Sequence, residues 1–397
     1  MIISKILTDV WILLQILIGY NLVLPVLLYL FYLIEKNPAP ASKAKSNDRD
    51  YAIIVTAYEQ TDSLPPVIDS ILKLNYKNYL IYIVADKCDV SGLKFADPRV
   101  IVLRPPETLA SNTRSHFYAI RNFQLRHDVL TIIDSDNLVD PEYINELNKS
   151  FDAGFDAVQG LRKAKNLDTT FACLDASRDI YYHFYDGEVL FNLGSSATLS
   201  GSGMAFKTSL YRECLEHLDI SGAGFDKVLQ KEIVSRGYRI AFNEQAVVYD
   251  EKTTRSDQLV KQRSRWINTW FRYFTFGFSL IAQGVKKFDF NRLLFGIILL
   301  RPPLFIFLIL SAFFLMINFF VSKLGFIVWV LSFVCFITGF LIALTHAKPD
   351  KRIIRSLFSI PKFIFYQVIS LLRMKKANKI SVATQHYSSK TLDEIKK

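Results

Sequence analysis

The 397-residue chain carries a formal net charge of +11, with 51% hydrophobic and 21% charged residues. It is too apolar for an ordinary soluble protein of this length and too charged for a protein that lies wholly within a membrane. These values indicate a water-soluble domain joined to membrane segments.

The first predicted element is a membrane anchor. Residues Ile6 to Leu33 are almost continuously apolar, which is longer than the ~20 residues that a bilayer core requires. A cleaved signal peptide is the alternative, because "PAPASKA" follows, but the apolar core of a signal peptide has only about 7–15 residues. We therefore predict a retained transmembrane anchor over residues 1–35 and a polar linker over residues 36–50.

Predicted strands and helices then alternate along the chain. The predicted strands are 51–59, 79–86, 99–106 and 129–134, and the predicted helices are 64–74, 113–126 and 141–151. This alternation predicts an α/β domain over residues 51–255 with a mostly parallel, Rossmann-like sheet. Ligands of such sheets bind beyond the carboxyl ends of the strands, where residues 56–59, Asp86 and the Asp134–Asp136 pair fall.

Asp134 and Asp136 form a D-x-D pair directly after the fourth predicted strand. Two carboxylates on such a loop can bind Mg²⁺ or Mn²⁺, and these ions also take phosphate oxygens. A nucleotide diphosphate would then complete the coordination. The alternative is a surface turn, because Asp, Ser and Asn are common turn residues.

Five motifs that follow one another along the chain resemble a known family. They are "VADKCD" (84–89), "IDSDNLVDP" (133–141), "SGSGMAF" (200–206), "GFDKVLQKEIVSRGYRIAFNEQAVVYDE" (224–251) and "QRSRW" (262–266). Together they resemble the membrane-bound family-2 glycosyltransferases, a group with a GT-A nucleotide-sugar-binding fold. The group contains the cellulose, chitin and hyaluronan synthases and the chitooligosaccharide synthases.

The resemblance implies an inverting hexosyltransferase that moves a sugar from a UDP-sugar to a growing glycan. It implies that Mg²⁺ or Mn²⁺ is bound by Asp134 and Asp136. The residues that it assigns to the nucleotide sugar are Thr56, Tyr58, Glu59, Asp86, Asp134 and Arg265. For Asp86, a turn at the end of the strand is the alternative.

The resemblance also assigns a base and an acceptor site. Asp226 would take the proton of the acceptor hydroxyl, although a carboxylate that complements a helix dipole is the alternative. Many members have an acid before this base, whereas this chain has Phe225. The residues assigned to the acceptor are Gln262, Trp266, Gly203 and Met204.

The spacing within "QRSRW" has a physical meaning of its own. Gln262, Arg265 and Trp266 fall on one face of a helix. A Trp ring can stack on a sugar, and an Arg guanidinium can hold two oxygens of a pyrophosphate. Many members carry a Lys near position 110; here Arg114 either replaces it or belongs to a solvated helix face.

The C-terminal part is predicted to lie on and in the membrane. We predict interfacial helices over 256–292, two transmembrane helices over 293–347, and a basic amphipathic interfacial helix with a tail over 348–397. The basic flanks place the N-terminus outside and the catalytic domain and C-terminus in the cytoplasm, at the inner or plasma membrane. Arg301, inside an apolar run, either lies near the headgroups facing the acceptor or is a snorkelling anchor.

The excess charge and the cysteines limit the partners. After Pro349 there are eleven basic and three acidic residues, so the tail carries +8 of the net +11 and suits anionic membrane lipids. This distribution gives no support to nucleic-acid binding. The four cysteines lack metal-ligand spacing, and we expect free thiols.

Three interpretations of the function remain. The first is a processive or oligomerising synthase, which "QRSRW" favours. The second is a single-addition transferase that acts on a lipid-linked acceptor. The third is an inactive binding protein, against which the intact Asp134, Asp136, Asp226 and Trp266 argue. Three spans are few for one chain to enclose a polymer channel, which leaves room for a homo-oligomer or a translocation partner.

Overall fold

The computed structural model describes residues 2–34, 49–376 and 390–395. The predicted linker, except for its last two residues, and residues 377–389 of the basic tail lie outside these ranges. The strands are β1 (Tyr51–Tyr58), β2 (Tyr79–Asp86), β3 (Val100–Leu103), β4 (Val129–Asp134), β5 (Leu138–Val139), β6 (Ala157–Ala164), β7 (Met204–Lys207) and β8 (Ile240–Asp250).

The helices are α1 (Ile2–Ile34), α2 (Leu64–Leu72), α3 (Asn112–Arg121), α4 (Tyr143–Asp152), α5 (Thr170–Tyr182), α6 (Leu190–Asn192), α7 (Thr208–Leu215), α8 (Phe225–Ser235), α9 (Ser256–Tyr273), α10 (Phe276–Lys287), α11 (Phe290–Leu300), α12 (Leu304–Val321), α13 (Lys323–Ala347), α14 (Lys351–Ser356), α15 (Ile360–Arg373) and α16 (Leu392–Ile395). In the sequence, helix α1 precedes the strands, α2 to α8 lie between the first and last strands, and α9 to α16 follow the last strand. A π-helical segment, His183–Val189, joins α5 to α6.

The strands form one eight-stranded sheet in the order β3-β2-β1-β4-β7-β6-β8-β5. Strands β1 to β4 are parallel, and β6 is parallel to β8. Strand β7 runs antiparallel to both β4 and β6, and β5 runs antiparallel to β8. The α/β prediction is confirmed, and the sheet is mixed. Its parallel half contains β2 and β4, the strands that end in Asp86 and Asp134.

Helices cover both faces of the parallel half, which explains why β1 is almost continuously apolar. Ile53 and Val55 pack in one core with α2 and α4. Ile54, on the opposite face, packs in a second core with α3, α7 and α8. Two buried faces hold the strand ends rigidly, so the polar residues that follow them have fixed positions.

The predicted helix over 113–126 ends earlier, at Arg121. The hydroxyl of Tyr82 accepts the backbone N–H of Gln124 at 2.9 Å and lies 2.8 Å from His127 Nε2. These contacts hold the chain in a turn before β4. A tertiary contact from β2 therefore ends this helix earlier than its own sequence pattern predicts.

The apolar stretch over residues 293–321 is two helices rather than one. Helix α11 ends at Leu300, and α12 begins at Leu304, directly after Pro302 and Pro303. Proline lacks the backbone N–H and restricts the preceding residue, so the helix breaks here. Only the second part is long enough to cross a membrane.

Four helical segments in the described part of the chain are long and apolar enough to span a membrane: Lys5–Ile34, Leu304–Val321, Lys323–Ala347 and Lys351–Arg373. The first three pack together, and a polar contact joins them. Gln15 Oε1 accepts from Asn318 Nδ2 at 2.6 Å and from Trp329 Nε1 at 2.8 Å. The fourth segment is the predicted interfacial helix, and it is interrupted by a 3₁₀ turn at Leu357–Ser359.

All four cysteines are free thiols, as predicted.

Candidate active site

A cavity of about 880 Å³ lies at the carboxyl ends of β1 and β4 and extends to the apolar helices α12, α13 and α15. It brings together most of the predicted site residues from segments that are far apart in the sequence. Those on its wall are Thr56, Tyr58, Asp134, Asp136, Asp226, Gln262, Arg265 and Trp266.

The acid pair is held by a turn that Ser202 stabilises. The Ser202 hydroxyl accepts the backbone N–H of Asp134 at 3.0 Å and the side-chain N–H of Asn137 at 2.8 Å. Asp136 is buried, and its backbone carbonyl accepts from Lys165 Nζ at 3.2 Å. The pKa of Lys165 is lowered, because the effect of burial exceeds the opposing effect of the nearby Asp136 carboxylate. Two carboxylates on one cavity wall suit a hard divalent cation, so the donor set fits Mg²⁺ or Mn²⁺.

Asp226 lies in the first turn of α8 and faces the same cavity. Gly224 precedes the helix with φ of +103°, and a Cβ there would lie 2.6 Å from Thr269 Cγ2, so this position requires glycine. Lys227 Nζ is 3.2 Å from the Asp226 carboxylate. Phe225 is buried, with its ring 5.0 Å from that of His116, so the residue before Asp226 belongs to the core.

The "QRSRW" segment lies on α9, and Gln262, Arg265 and Trp266 line the cavity as the helical spacing predicts. Burial lowers the pKa of Arg265. The Trp266 ring is 38% exposed and lies under two guanidinium groups. The Arg263 group is 4.0 Å from the ring centroid, and the Arg178 group is 4.6 Å from it.

Residues 48–269, more than half of the chain, match the family described as "Glycosyltransferase like family 2". The chain belongs to this family. A search of curated protein sequences gives no significant match.

Two solved structures are similar to this glycosyltransferase. The mannosyltransferase PcManGT from Pyrobaculum calidifontis, in complex with GDP-Man and Mn²⁺, is similar with a TM-score of 0.55 at 15% identity, over 90% of this chain and 95% of that chain. S. aureus TarS has a TM-score of 0.39 at 13% identity, over 62% of this chain and 54% of that chain. The fold is GT-A, and the protein is a nucleotide-sugar-dependent family-2 glycosyltransferase.

Two residues predicted to bind the donor do not line the cavity of the glycosyltransferase. Glu59 is exposed, has φ of +60°, and pairs with Lys87 at 2.7 Å. Asp86 is buried, and its carboxylate accepts the backbone N–H groups of Leu109 at 2.9 Å and Ala110 at 2.7 Å. In this structure Asp86 therefore fixes the loop before α3, because that loop folds over the strand end.

Two residues predicted to bind the acceptor are also absent from the cavity wall. Met204 is fully buried in the core. Gly203 has φ of +65°, and a Cβ there would lie 2.8 Å from Val248. Ser200 and Gly201, from the same motif, line the cavity in their place. The strand β7 begins at Met204, so the motif leaves the cavity and enters the sheet at that point.

A buried network of charges forms much of the remaining wall, and the sequence analysis missed it. Arg162 pairs with Asp250, which also lies 2.7 Å from Lys252. Lys252 pairs in turn with Asp179. Burial alone would raise the pKa of Asp179, but Lys252 holds it well below its usual range. Each of these buried charges has an opposite charge beside it, as burial requires.

Signals for this network were present in the sequence. Helix α5 and the π-helical segment contain "DASRDIYYHFYDGE" (175–188), in which charges recur among aromatic residues. Strand β8 ends in Asp250, as β2 and β4 end in acids. His183 also lines the cavity, and burial lowers its pKa to about 4.

The structure distinguishes the alternatives for two arginines. Arg301 is buried, lines the cavity and pairs with Asp186 at 2.7 Å, so it is not a snorkelling anchor. Arg114 is partly exposed and pairs with Asp219 at 2.7 Å, away from the cavity wall. Arg114 therefore belongs to the solvated helix face.

Proposed function

We propose that this glycosyltransferase moves a sugar, with inversion, from a UDP-sugar to a glycan acceptor at a membrane surface. The observation that carries the proposal is the single cavity that contains the D-x-D pair, Asp226 and the "QRSRW" face of α9. The intact acids Asp134, Asp136 and Asp226 argue against an inactive binding protein.

The donor end of the cavity is formed by the strand ends. Thr56 and Tyr58 at the end of β1 lie beside the acid pair on the cavity wall. Asp134 and Asp136 would hold Mg²⁺ or Mn²⁺, and the bound ion would offset the charge of the departing diphosphate. Arg265 supplies a cation for the same group. PcManGT carries GDP-Man and Mn²⁺, so GDP-sugars are tested beside UDP-sugars.

Inverting transfer needs one base opposite the leaving group. A hydroxyl oxygen of the acceptor bonds to the anomeric carbon, the bond from that carbon to the nucleoside diphosphate breaks, and the hydroxyl proton passes to Asp226. Asp226 suits this role because it faces the cavity from the first turn of α8.

The test is Asp226→Asn, which keeps the shape and removes the proton acceptor. General-base catalysis contributes typically about 10²–10⁴ in rate, so turnover should fall by at least that range. Nucleotide-sugar affinity, measured by calorimetry, should change less than a few-fold, because the loss acts on the transition state. Asp219→Asn, an exposed acid outside the cavity, is the control. Near-wild-type turnover in Asp226→Asn would show that another group is the base.

We further propose that α1, α12 and α13 cross the inner or plasma membrane, with the N-terminus outside and the catalytic domain and C-terminus in the cytoplasm. The basic flanks support this orientation. The three native cysteines of the catalytic domain are buried, so engineered thiols can be labelled over a low background. A thiol at Lys323 should react with an outside-only reagent, and one at Lys149 should not. The opposite pattern would reverse the topology.

Two acceptor classes follow from the sequence: a growing glycan and a lipid-linked acceptor. "QRSRW" favours the first. The lengths of products made from a labelled nucleotide sugar separate the two, because a processive enzyme yields a ladder or a polymer and a single-addition enzyme yields one product.

A further inference from the structure

The cavity has an apolar wall in addition to its donor end. Helices α12 and α13, with α15 beside them, contribute it, and we call this part the apolar arm. Its residues are Leu304, Leu308, Phe336, Phe340, Leu341 and Phe363. Both α12 and α13 are long and apolar enough to span a membrane. The same cavity therefore joins a site for a charged donor to helices suited to a bilayer.

The apolar arm opens along the outer side of α13. Ile337 and Leu341 line the cavity, yet they are 54% and 49% exposed. Ile337 is ten residues before the end of α13 at Ala347, which corresponds to about 15 Å along the helix. Half of a bilayer's hydrocarbon core is also about 15 Å thick. With α13 across a membrane, the opening faces the acyl chains of the leaflet beside the catalytic domain.

Buried arginines on the wall of the same cavity have N–H groups that find no partner within the described part of the chain. Arg263 is 2% exposed and pairs with Asp175 through Nη2, while its Nε and Nη1 have no hydrogen-bond partner among the described residues. Arg301 pairs with Asp186, and its Nε likewise has no partner among them. Unpaired buried donors are costly, particularly on charged groups. The guanidinium fork matches the oxygens of a phosphate, so these groups point to an anionic ligand.

Contacts join the arginines to the first residue of the apolar arm. The guanidinium groups of Arg263 and Arg178 lie over the Trp266 ring, and that of Arg178 is also 5.8 Å from the ring of Tyr182. The Tyr182 hydroxyl accepts the backbone N–H of Leu304 at 3.3 Å. Aromatic ring, cations and apolar helices are thus contiguous.

We propose that the acceptor is a lipid-linked glycan whose lipid and sugar are joined through phosphate. The lipid chain lies in the apolar arm, the phosphate binds Arg263 and Arg301, and the first sugar stacks on Trp266. The inference rests on the proposed function, and it selects between the two acceptor classes. A soluble glycan would use neither the opening beside Ile337 nor the unpartnered arginine groups.

The reaction is the same inverting transfer that is described under the proposed function. A hydroxyl of the lipid-linked sugar is the nucleophile, its proton passes to Asp226, and the nucleoside diphosphate leaves with the electrons of the broken bond. The lipid phosphate takes no part in bond formation. It positions the acceptor, so the arginines that bind it act on acceptor affinity.

Photolabelling of the full chain in detergent micelles tests the site. The probe is dodecyl phosphate with a terminal diazirine, and the comparison probe is the corresponding alcohol. The phosphate probe should label α12, α13 and α15. It should do so at concentrations at least about tenfold lower than the alcohol probe requires, because a hydrogen bond to a charged group strengthens binding roughly tenfold or more. Inorganic phosphate alone should not compete at those concentrations. Equal labelling of all exposed apolar helix faces would overturn the proposal.

Matched variants make the labelling specific. Ile337→Trp fills the opening and should reduce labelling at least about tenfold, whereas Ile327→Trp, on the same helix at 53% exposure and outside the cavity wall, should label as wild type. Arg263→Lys keeps the charge beside Asp175 and removes the fork, so it should weaken phosphate labelling while the alcohol labels unchanged. A thermal unfolding scan of each variant checks that it folds. Unchanged labelling in Ile337→Trp and Arg263→Lys would contradict the assignment.

A transfer assay shows whether the lipid bound in the apolar arm is the acceptor or a structural membrane lipid. Dodecyl phosphate esters of glucose, N-acetylglucosamine and mannose are offered with a panel of UDP- and GDP-sugars and Mn²⁺, and products are identified by mass. One added sugar on a phosphate ester, with none on the free sugars, supports the proposal. Specific labelling without transfer to any ester would mean that the arm holds a structural phospholipid. Absence of nucleotide-sugar hydrolysis in the wild type would instead refute the proposed function. The labelling experiment does not depend on that result, because it measures binding and not turnover.

Discussion

The donor end and the apolar arm of the one cavity are built on different physical principles. At the donor end, charged side chains project from the ends of rigid strands, and the network behind them pairs Arg162 with Asp250 and Lys252 with Asp179. In the apolar arm, side chains such as Leu308 and Phe340 come from helices that pack through apolar and aromatic contacts.

The two ends of the cavity should therefore respond differently to substitution. A buried charge depends on its partner, so neutralising one member leaves the other uncompensated. An apolar wall depends on volume, so its effects should be graded with the size of the side chain. Large effects are therefore expected at the donor end and smaller ones toward the acceptor.

The largest effect is expected for Asp136→Asn. A neutral amide is a poor ligand for a hard cation, and a bound metal contributes several kcal/mol of charge stabilisation, which corresponds to about 10³-fold in rate. Turnover with Mg²⁺ or Mn²⁺ should fall by about that factor and should also collapse in EDTA. Asp89→Asn, an exposed acid in the loop after β2, is the control. Full turnover in EDTA would show that the donor end does not use a metal ion.

The next effect concerns stability. Asp175 is buried and pairs with Arg263, so Asp175→Asn leaves a buried cation uncompensated. Breaking such a pair costs about 3–5 kcal/mol of unfolding free energy. Asp219→Asn removes the partner of Arg114 in an exposed pair, where solvent screens the charges, and should change the Tm little. Thermal unfolding in detergent compares the two variants, and equal shifts would show that the buried pair stabilises the fold no more than the exposed pair does.

The smallest effect is expected for Trp266→Ala, where the two ends of the cavity meet. Loss of one stacked ring is worth about 0.5–1.5 kcal/mol, so kcat/KM for the acceptor should fall about 2- to 10-fold. Hydrolysis of the nucleotide sugar should survive, because water needs no stacking surface. Phe271→Ala, exposed on the same helix and outside the cavity wall, is the control. A parallel loss of hydrolysis would assign Trp266 to the donor instead.

Much of the donor end follows from the sequence, because local patterns specify it. Apolar strands that end in Thr56–Tyr58 and in the Asp134–Asp136 pair must deliver those groups to one sheet edge once the strands are parallel. The i, i+3, i+4 spacing likewise places Gln262, Arg265 and Trp266 on one helix face.

Other residues were assigned by motif and depend on contacts that no local pattern contains. Asp86 has the same strand-end position as Asp134, yet the loop before α3 closes over it and uses its carboxylate for two backbone N–H groups. Met204 belongs to a motif that leaves the cavity as soon as β7 begins. In both cases a neighbouring segment decides whether a side chain reaches the cavity.

Three features of this protein can be predicted from its sequence alone: an α/β sheet with acids at its strand ends, a family-2 transferase pattern, and apolar segments long enough for a membrane. Hydrophobic periodicity and motif spacing are local properties, so they can be recognised along one chain. The contacts between distant segments appear only in the folded chain: α5, β8, α12 and α13 close around those acids, Arg301 pairs with Asp186, and an apolar arm adjoins the buried arginines. These arrangements arise from pairing and packing between distant segments, where burial makes each charge depend on a partner that the local sequence does not specify.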